Sequence, residues 1–206
     1  MILDYAYEKR FGDCVIAGVD EVGRGPWAGP VLAAAVILDP NAVPEGLNDS
    51  KKLSAKRREA LSEILLDVAT CAIGEASVEE IDTINILQAS LLAMRRAIEA
   101  LPTAPQIALI DGRHAPKGLK CRSETLVGGD HKSASIAAAS IVAKVKRDRM
   151  MRELSEQYPH YGWETNAGYG TRAHRLGLLC HGVTPHHRRS FKPIHKMLFP
   201  HGSTTS

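Results

Sequence analysis

Three short strand-like runs in this chain finish on an aspartate, and that repetition constrains the fold more than any other feature. "CVIAGVD" ends at Asp20, "QIALID" ends at Asp111, and "SETLVGGD" reaches Asp130 through a two-glycine turn. Runs of this length and β-branched content, bounded by turn residues, are expected as strands of a sheet. Each carboxylate closes its run, which puts all three at the carboxyl ends of strands. In open α/β sheets, ligand sites gather at that edge.

The remaining pattern completes the sheet. "CVIAGVD" (Cys14 to Asp20) and "VLAAAVIL" (Val31 to Leu38) predict two strands joined by a Gly- and Pro-rich, hairpin-like link. "CAIGEASV", "QIALI" and "SETLV" are the third, fourth and fifth strands. Ser54 is the expected N-cap of a helix with Leu61, Ile64, Leu65 and Val68 on one face. Leu87, Leu91, Met94, Ile98 and Leu101 recur at helical spacing, so a second helix is expected from Asn85 to Leu101, stopped by Pro102. An Ala/Ser-rich helix follows from about His131 to Gln157. "YPHYGWETNAGYGT" is expected as a loop, with another helix starting near Thr171 and a disordered tail after Pro200. Three strands first, then strands alternating with helices, predict an α/β fold: a mixed five-stranded sheet with helices packed on it.

Several carboxylates at one sheet edge repel one another unless a cation neutralises them. An all-oxygen donor set suits Mg²⁺ or Mn²⁺, and two such ions can clamp a phosphodiester for hydrolysis. Glu21 adjoins Asp20 and would enlarge the set. Side chains alternate along a strand, so the two can serve one site only if the strand ends or bends there. "VGRGP" could supply the break, because Gly23 and Gly25 permit backbone angles closed to other residues. Asp148 is excluded from that site. On a continuous helix it lies about 27 Å from Asp130, and "KVKRDR" around it is expected to be structural or phosphate-facing.

"GRGPWAGP" lacks the GK[ST] ending of a P-loop, which argues against a nucleoside triphosphate. "DSKKLS" places Ser50, Lys51 and Lys52 before a helix as a candidate phosphate clamp, and Lys132, Ser133 and Ser135 stand at another helix start. Ser140, among alanines, is expected to be a close-packing residue. Trp27 and Trp163 are read as packing residues, and the His181, His186 and His187 group fits no zinc-site spacing. Net charge is only +3, yet from Tyr158 onward six Lys/Arg and seven His face the single acid Glu164. A basic end on a near-neutral body points to a polyanionic partner. Four dispersed cysteines (Cys14, Cys71, Cys121, Cys180) are expected to be reduced, mostly buried thiols. The longest strictly apolar run has eight residues, against about 20 for a membrane helix. A cytoplasmic protein is expected. Two alternatives remain open on these residues: a non-catalytic duplex-binding module, and a metal-dependent phosphatase or nucleotide hydrolase.

The ordered blocks "GVDEVGRGPWAGPVLAAAVIL", "NDSKKLS", "LIDG", "GGDHKSASIAAASIVAKVKRDR" and "NAGYGTRAH" resemble the ribonuclease HII family, type 2 ribonuclease H. The resemblance runs from about Ile16 to Phe191. It implies a ribonuclease H-like catalytic domain over 1–157 and a small, helical, basic C-terminal extension over 158–206. It implies an endonuclease that cuts the RNA strand of RNA–DNA hybrids and cuts 5′ of single ribonucleotides in duplex DNA by two-metal-ion catalysis. The products would carry a 5′-phosphate and a 3′-hydroxyl. Metal ligands would fall on Asp20, Glu21, Asp111 and Asp130, with Mn²⁺ or Mg²⁺ as cofactor. The ribose-sensing turn would fall on Gly23, Arg24 and Gly25, and the junction-sensing tyrosine on Tyr169. One active site suffices, so a monomer is expected.

Overall fold

A computed structural model describes residues 3–199, so the tail expected to be disordered lies outside the described residues. The chain runs β1 (Ile16–Val22), β2 (Val31–Ile37), α1 (Ala55–Val68), β3 (Thr70–Ala76), α2 (Val78–Glu99), β4 (Ile107–Asp111), β5 (Arg122–Leu126), α3 (Ala134–Gln157), α4 (Trp163–Asn166), α5 (Arg172–His181) and α6 (Lys192–Leu198). The five strands form one sheet in the order β3-β2-β1-β4-β5. β1 pairs antiparallel with β2 and parallel with β4, so the sheet is mixed as expected. α2 covers one face and α1 and α3 cover the other. β5 is an edge strand and mostly exposed, which explains its weak apolar content.

The centre of the sheet is built to be thin. β2 is fully buried through Ala33, Ala34 and Ala35, so helices on both faces approach closely. A Cβ at Gly18 would collide with the Ser135 carbonyl, so β1 lies directly against the start of α3 because that residue is glycine.

Three expectations need correction. β1 does not end at Asp20. Antiparallel pairing with β2 carries it on through Asp20↔Ala34, Glu21↔Ala33 and Val22↔Leu32, whereas pairing with β4 stops at Val19↔Ile110. α2 starts seven residues before Asn85, because Ser77 and Glu80 form a reciprocal capping box. Asn85 is a left-handed kink (φ 68°) whose side chain accepts from the Leu87 and Gln88 amides and so caps the second half. Met94 and Ile98 are core, whereas Leu87 and Leu91 are only partly buried beside the 113–117 loop, Leu91 packing on the margin of the core. Finally, none of the four cysteines is buried: three are intermediate and Cys180 is exposed.

The C-terminal elements pack against the link between β1 and β2 and against α3. Tyr161, Trp163, Leu178 and Ile194 form one apolar cluster with Ala28 of the Gly/Pro link and Met151 of α3. Among the described residues, no helix is long and apolar enough to cross a membrane.

Candidate active site

The parallel register places Asp20 and Asp111 together. Val19 pairs with Ile110, so the next step sets the two aspartates side by side at the open end of the β1/β4 ladder. Both belong to the α3 face, where Ile16, Leu109 and Ile136 pack. Glu21 belongs to the α2 face, but beyond the end of β4 no neighbouring strand separates it from Asp111. Asp130 arrives from the turn Gly129–His131, which the Asp111 carboxylate anchors by accepting from the Gly129 amide at 2.7 Å.

Burial, with repulsion from neighbouring acids, raises the pKa of Asp20, Glu21 and Asp130. Asp20 is only 7% exposed. Burial holds its carboxyl well above the ordinary range, the charges of Glu21, Asp111 and Asp130 push it further, and the Ser140 hydroxyl partly opposes them. Glu21 is raised chiefly by burial, with Asp111 adding to it and Arg24, at 3.1 Å, pulling it down. Asp130 is raised by burial and by Asp111 and Asp49, against His131 and Lys51. The raised Asp20, Glu21 and Asp130 carboxyls show that burial and mutual repulsion outweigh the positive charge of Arg24, His131 and Lys51 around them.

Asp130 also has a neighbour that sequence reasoning missed. Ligand atoms of Asp49, Asp130 and His131 lie within 4.8 Å of one another, and this is the one such three-residue group among the described residues. The four expected acids therefore surround one space but do not all converge on one point. Asp49 stood inside "NDSKKLS" without any local signal. Ser140 was findable: a hydroxyl buried on an alanine face must find partners, and it pairs with Ser50 at 2.9 Å while lowering the pKa of the Asp20 carboxyl. Asp148 is apart from this group, bound to Lys144 at 2.7 Å.

The turn from Gly23 to Pro30 is held by two buried arginines. Arg188, with no exposed surface, donates to the carbonyls of Gly23, Arg24, Gly29 and Pro30. Arg147 of α3 donates to those of Pro30, Ala28 and Ala167. Burial lowers both guanidinium pKa values, to about 9 and about 10, and each remains charged at neutral pH. Gly23 has φ 94°, and a side chain there would strike Arg147. A trans peptide directs its C=O and the following N–H in opposite senses. Drawing the Gly23 and Arg24 carbonyls inward therefore turns the Arg24 and Gly25 amides outward, and neither donates within the described residues.

Tyr169 stands over this turn. Its side chain is half-exposed, and a Cβ on Gly25 would sit 3.1 Å from its Cε1. Lys51 and Lys52 are exposed nearby in sequence to the buried Ser50. Lys132 is exposed and caps the Val127 carbonyl at 2.7 Å. Ser133 is a correction: it is fully buried, caps α3 and donates to Glu8 at 2.6 Å, so it does not face a phosphate. The basic C-terminal segment is partly internal as well, because Arg188, His174 and His187 are all buried. His181 stacks on His160 and Trp163 packs with Tyr161.

A family model described as Ribonuclease HII matches residues 17–199. The chain belongs to the ribonuclease HII family. It is 64% identical over 199 residues to the ribonuclease HII of Ruegeria pomeroyi, covering 95% of this chain and 85% of that one. It is 62% identical over 205 residues to that of Cereibacter sphaeroides, covering 98% and 97%. The crystal structure of ribonuclease H2 from Pyrococcus horikoshii matches with a TM-score of 0.73 and 28% identity, over 88% of this chain and 96% of that one. A ribonuclease HIII solved with Mn²⁺ shares the fold at TM-score 0.71 and 19% identity, over 91% and 70%. Family and fold make this chain a nuclease, a hydrolase of phosphodiester bonds.

Proposed function

We propose that this enzyme cuts the RNA strand of RNA–DNA hybrids and cuts on the 5′ side of a single ribonucleotide embedded in duplex DNA, leaving a 5′-phosphate and a 3′-hydroxyl. The observation that carries the reading is the outward pair of unengaged amides at Arg24 and Gly25, set beside the carboxylate cluster on one strand end. A ribose differs from a deoxyribose by one 2′-hydroxyl, which two fixed main-chain donors beside bare glycines are suited to sense.

Asp20, Glu21, Asp111 and Asp130 are the ligands we assign to two divalent cations, Mn²⁺ or Mg²⁺, and the donor set fits them: hard carboxylate oxygens only, in a site where burial and repulsion leave Asp20, Glu21 and Asp130 short of positive charge. Bound there, such ions would neutralise the phosphate and activate water for in-line attack. The chain's own residues do the rest. Arg24 holds Glu21 and can reach a phosphate. Lys51, Lys52 and Lys132 supply exposed positive charge for the backbone of the duplex, while Ser50 works from inside by bonding Ser140, whose hydroxyl eases the charge on Asp20. The Tyr169 ring stacks on the sugar following the ribonucleotide and so reads the RNA-to-DNA step. A soluble, cytoplasmic monomer acting on duplexes is the simplest setting for this activity.

The test is a DNA duplex carrying one ribonucleotide, incubated with Mg²⁺, Mn²⁺ or chelator, with the fragments weighed by mass spectrometry. Metal-dependent cleavage 5′ of the ribonucleotide with a 5′-phosphate is expected. A 2′,3′-cyclic phosphate would make the 2′-hydroxyl the nucleophile and sink the mechanism. Binding without cleavage in any metal would leave only a duplex-binding module.

A further inference from the structure

We propose that His174 is a positioning residue for Tyr169. It is the last link of a hydrogen-bonded relay running from Thr184 through His187 and His174 to the Tyr169 main chain. The proposal rests on the reading of Tyr169 as the junction sensor.

The relay has one consistent proton arrangement. Thr184 N–H can only donate, and it points at His187 Nδ1 at 3.0 Å, so that nitrogen carries the lone pair. Neutral His187 then bears its proton on Nε2, which lies 2.9 Å from His174 Nε2. His174 Nε2 must therefore accept, and the Trp163 indole N–H, another obligate donor, also points at it at 3.3 Å. The His174 proton is left on Nδ1, 3.0 Å from the Tyr169 carbonyl, which can only accept. Both ends and the side branch demand the same tautomers. His174 and His187 are 0% and 1% exposed, so no water competes for these bonds.

What the relay fixes is short, and its other main-chain bonds lie on the N-terminal side: the Tyr169 amide donates to the Asn166 carbonyl and the Trp27 amide to the Gly168 carbonyl, each at 2.8 Å. Tyr169 lies between Gly168 and Gly170, which are conformationally free. The Asn166 side chain accepts from the Gly168 amide, and Gly170 rests against the Trp27 ring. Those contacts hold the flanks, while the carbonyl of Tyr169 itself is held by His174 and by the Thr171 amide at 2.8 Å. The side chain has no hydrogen-bond partner among the described residues, so its aim over Gly25 follows from its backbone. Rotating that peptide would move the ring off the turn.

The geometry dictates which variants substitute for histidine. Asparagine places its amide N–H where Nδ1–H stands, whereas glutamine reaches the Nε2 position. Cleavage of a lone ribonucleotide and of a continuous RNA–DNA hybrid is compared for His174→Asn, His174→Gln, Tyr169→Ala and the Tyr169→Ala/His174→Gln pair, each checked for folding by urea unfolding. His174→Gln is expected to lower the ratio of the two rates about tenfold, the scale of one lost stacking contact. His174→Asn is expected to keep most of the ratio, and His174→Gln is expected to add nothing once Tyr169 is alanine. Equal losses on both substrates, no difference between Asn and Gln, or independent effects in the pair would overturn the proposal. If Tyr169→Ala alone leaves the ratio unchanged, the junction reading fails, and the relay is then judged on the wild-type enzyme. There, long-range ¹⁵N NMR is expected to find His187 protonated on Nε2 and His174 on Nδ1. The opposite tautomers would refute the relay even if every variant misfolds.

Discussion

Replacing Arg188 with methionine tests how the turn from Gly23 to Pro30 is held. The side chain donates four hydrogen bonds to main-chain carbonyls and has no exposed surface. Pro30 keeps a donor in Arg147 Nε at 3.1 Å, so Arg188→Met strands the carbonyls of Gly23, Arg24 and Gly29. An orphaned buried acceptor costs about 1–3 kcal/mol, partly offset here because a buried charge disappears with the guanidinium. A net loss of about 3–5 kcal/mol is expected, which in a chain of this size lowers the melting temperature by roughly 10 °C. Arg188→Lys should recover little, since one ammonium cannot span carbonyls from both ends of the turn. Urea unfolding at neutral pH measures the loss, with the denaturant slope confirming two-state behaviour. A change below about 1 kcal/mol for Arg188→Met would show that water or Arg147 takes over those carbonyls, and the account of the turn would be wrong.

Four further outcomes follow from the same geometry. Asp111→Asn should nearly abolish cleavage in a folded enzyme, by about 100-fold or more, while Asp148→Asn leaves the metal-dependent step intact; steady-state rates with Mn²⁺ and Mg²⁺ separate them. Asp20→Asn should destroy activity yet raise the urea midpoint of the metal-free protein. A carboxyl whose folded pKa is raised above 3.8 costs stability once pH exceeds that value, and asparagine removes the cost. His187 runs in the acid direction: its pKa is depressed from 6.5 to about 3, so below pH 6.5 the unfolded chain takes up a proton that the folded one refuses. Stability should fall by up to about 1.4 kcal/mol per pH unit between pH 6.5 and pH 3 for this group, and urea midpoints from pH 7 to 5 should show a shallower slope in His187→Gln. Gly18→Ala should destabilise by about 2–4 kcal/mol, because its Cβ would push β1 off the start of α3; calorimetry near wild type would show that the strand can shift.

The strand-end acids were legible because an ionisable group closing an apolar run has few places to go, and the sheet followed from the order of runs. The capping box at Ser77 and Glu80 was equally readable, and its omission set the start of α2 too late. Arg147 and Arg188 were not readable. Each looks like surface charge in a basic stretch, and each is buried only because carbonyls more than a hundred residues away need donors. Ser133 misled for the complementary reason: its partner, Glu8, sits in an N-terminal turn that carries no family pattern. Leu87 and Leu91 kept the helical spacing of a core face, but the sheet contacts α2 mainly through its small residues, Ala89, Ala93 and Ala97. Periodicity gives the stripe and leaves open which edge of it meets the sheet.

Arg188 also sets an order of events during synthesis. The turn it fixes lies 158 to 165 residues earlier in the chain. β1 and β2 can pair as soon as they leave the ribosome, and the acids can assemble once α3 has docked. The Gly23 and Arg24 carbonyls acquire their donors only after residue 188 has emerged and folded back across the sheet edge. The turn from Gly23 to Pro30 is therefore among the last parts to close, and a nascent chain paused before that point holds its carboxylates beside a turn whose carbonyls still lack their donors.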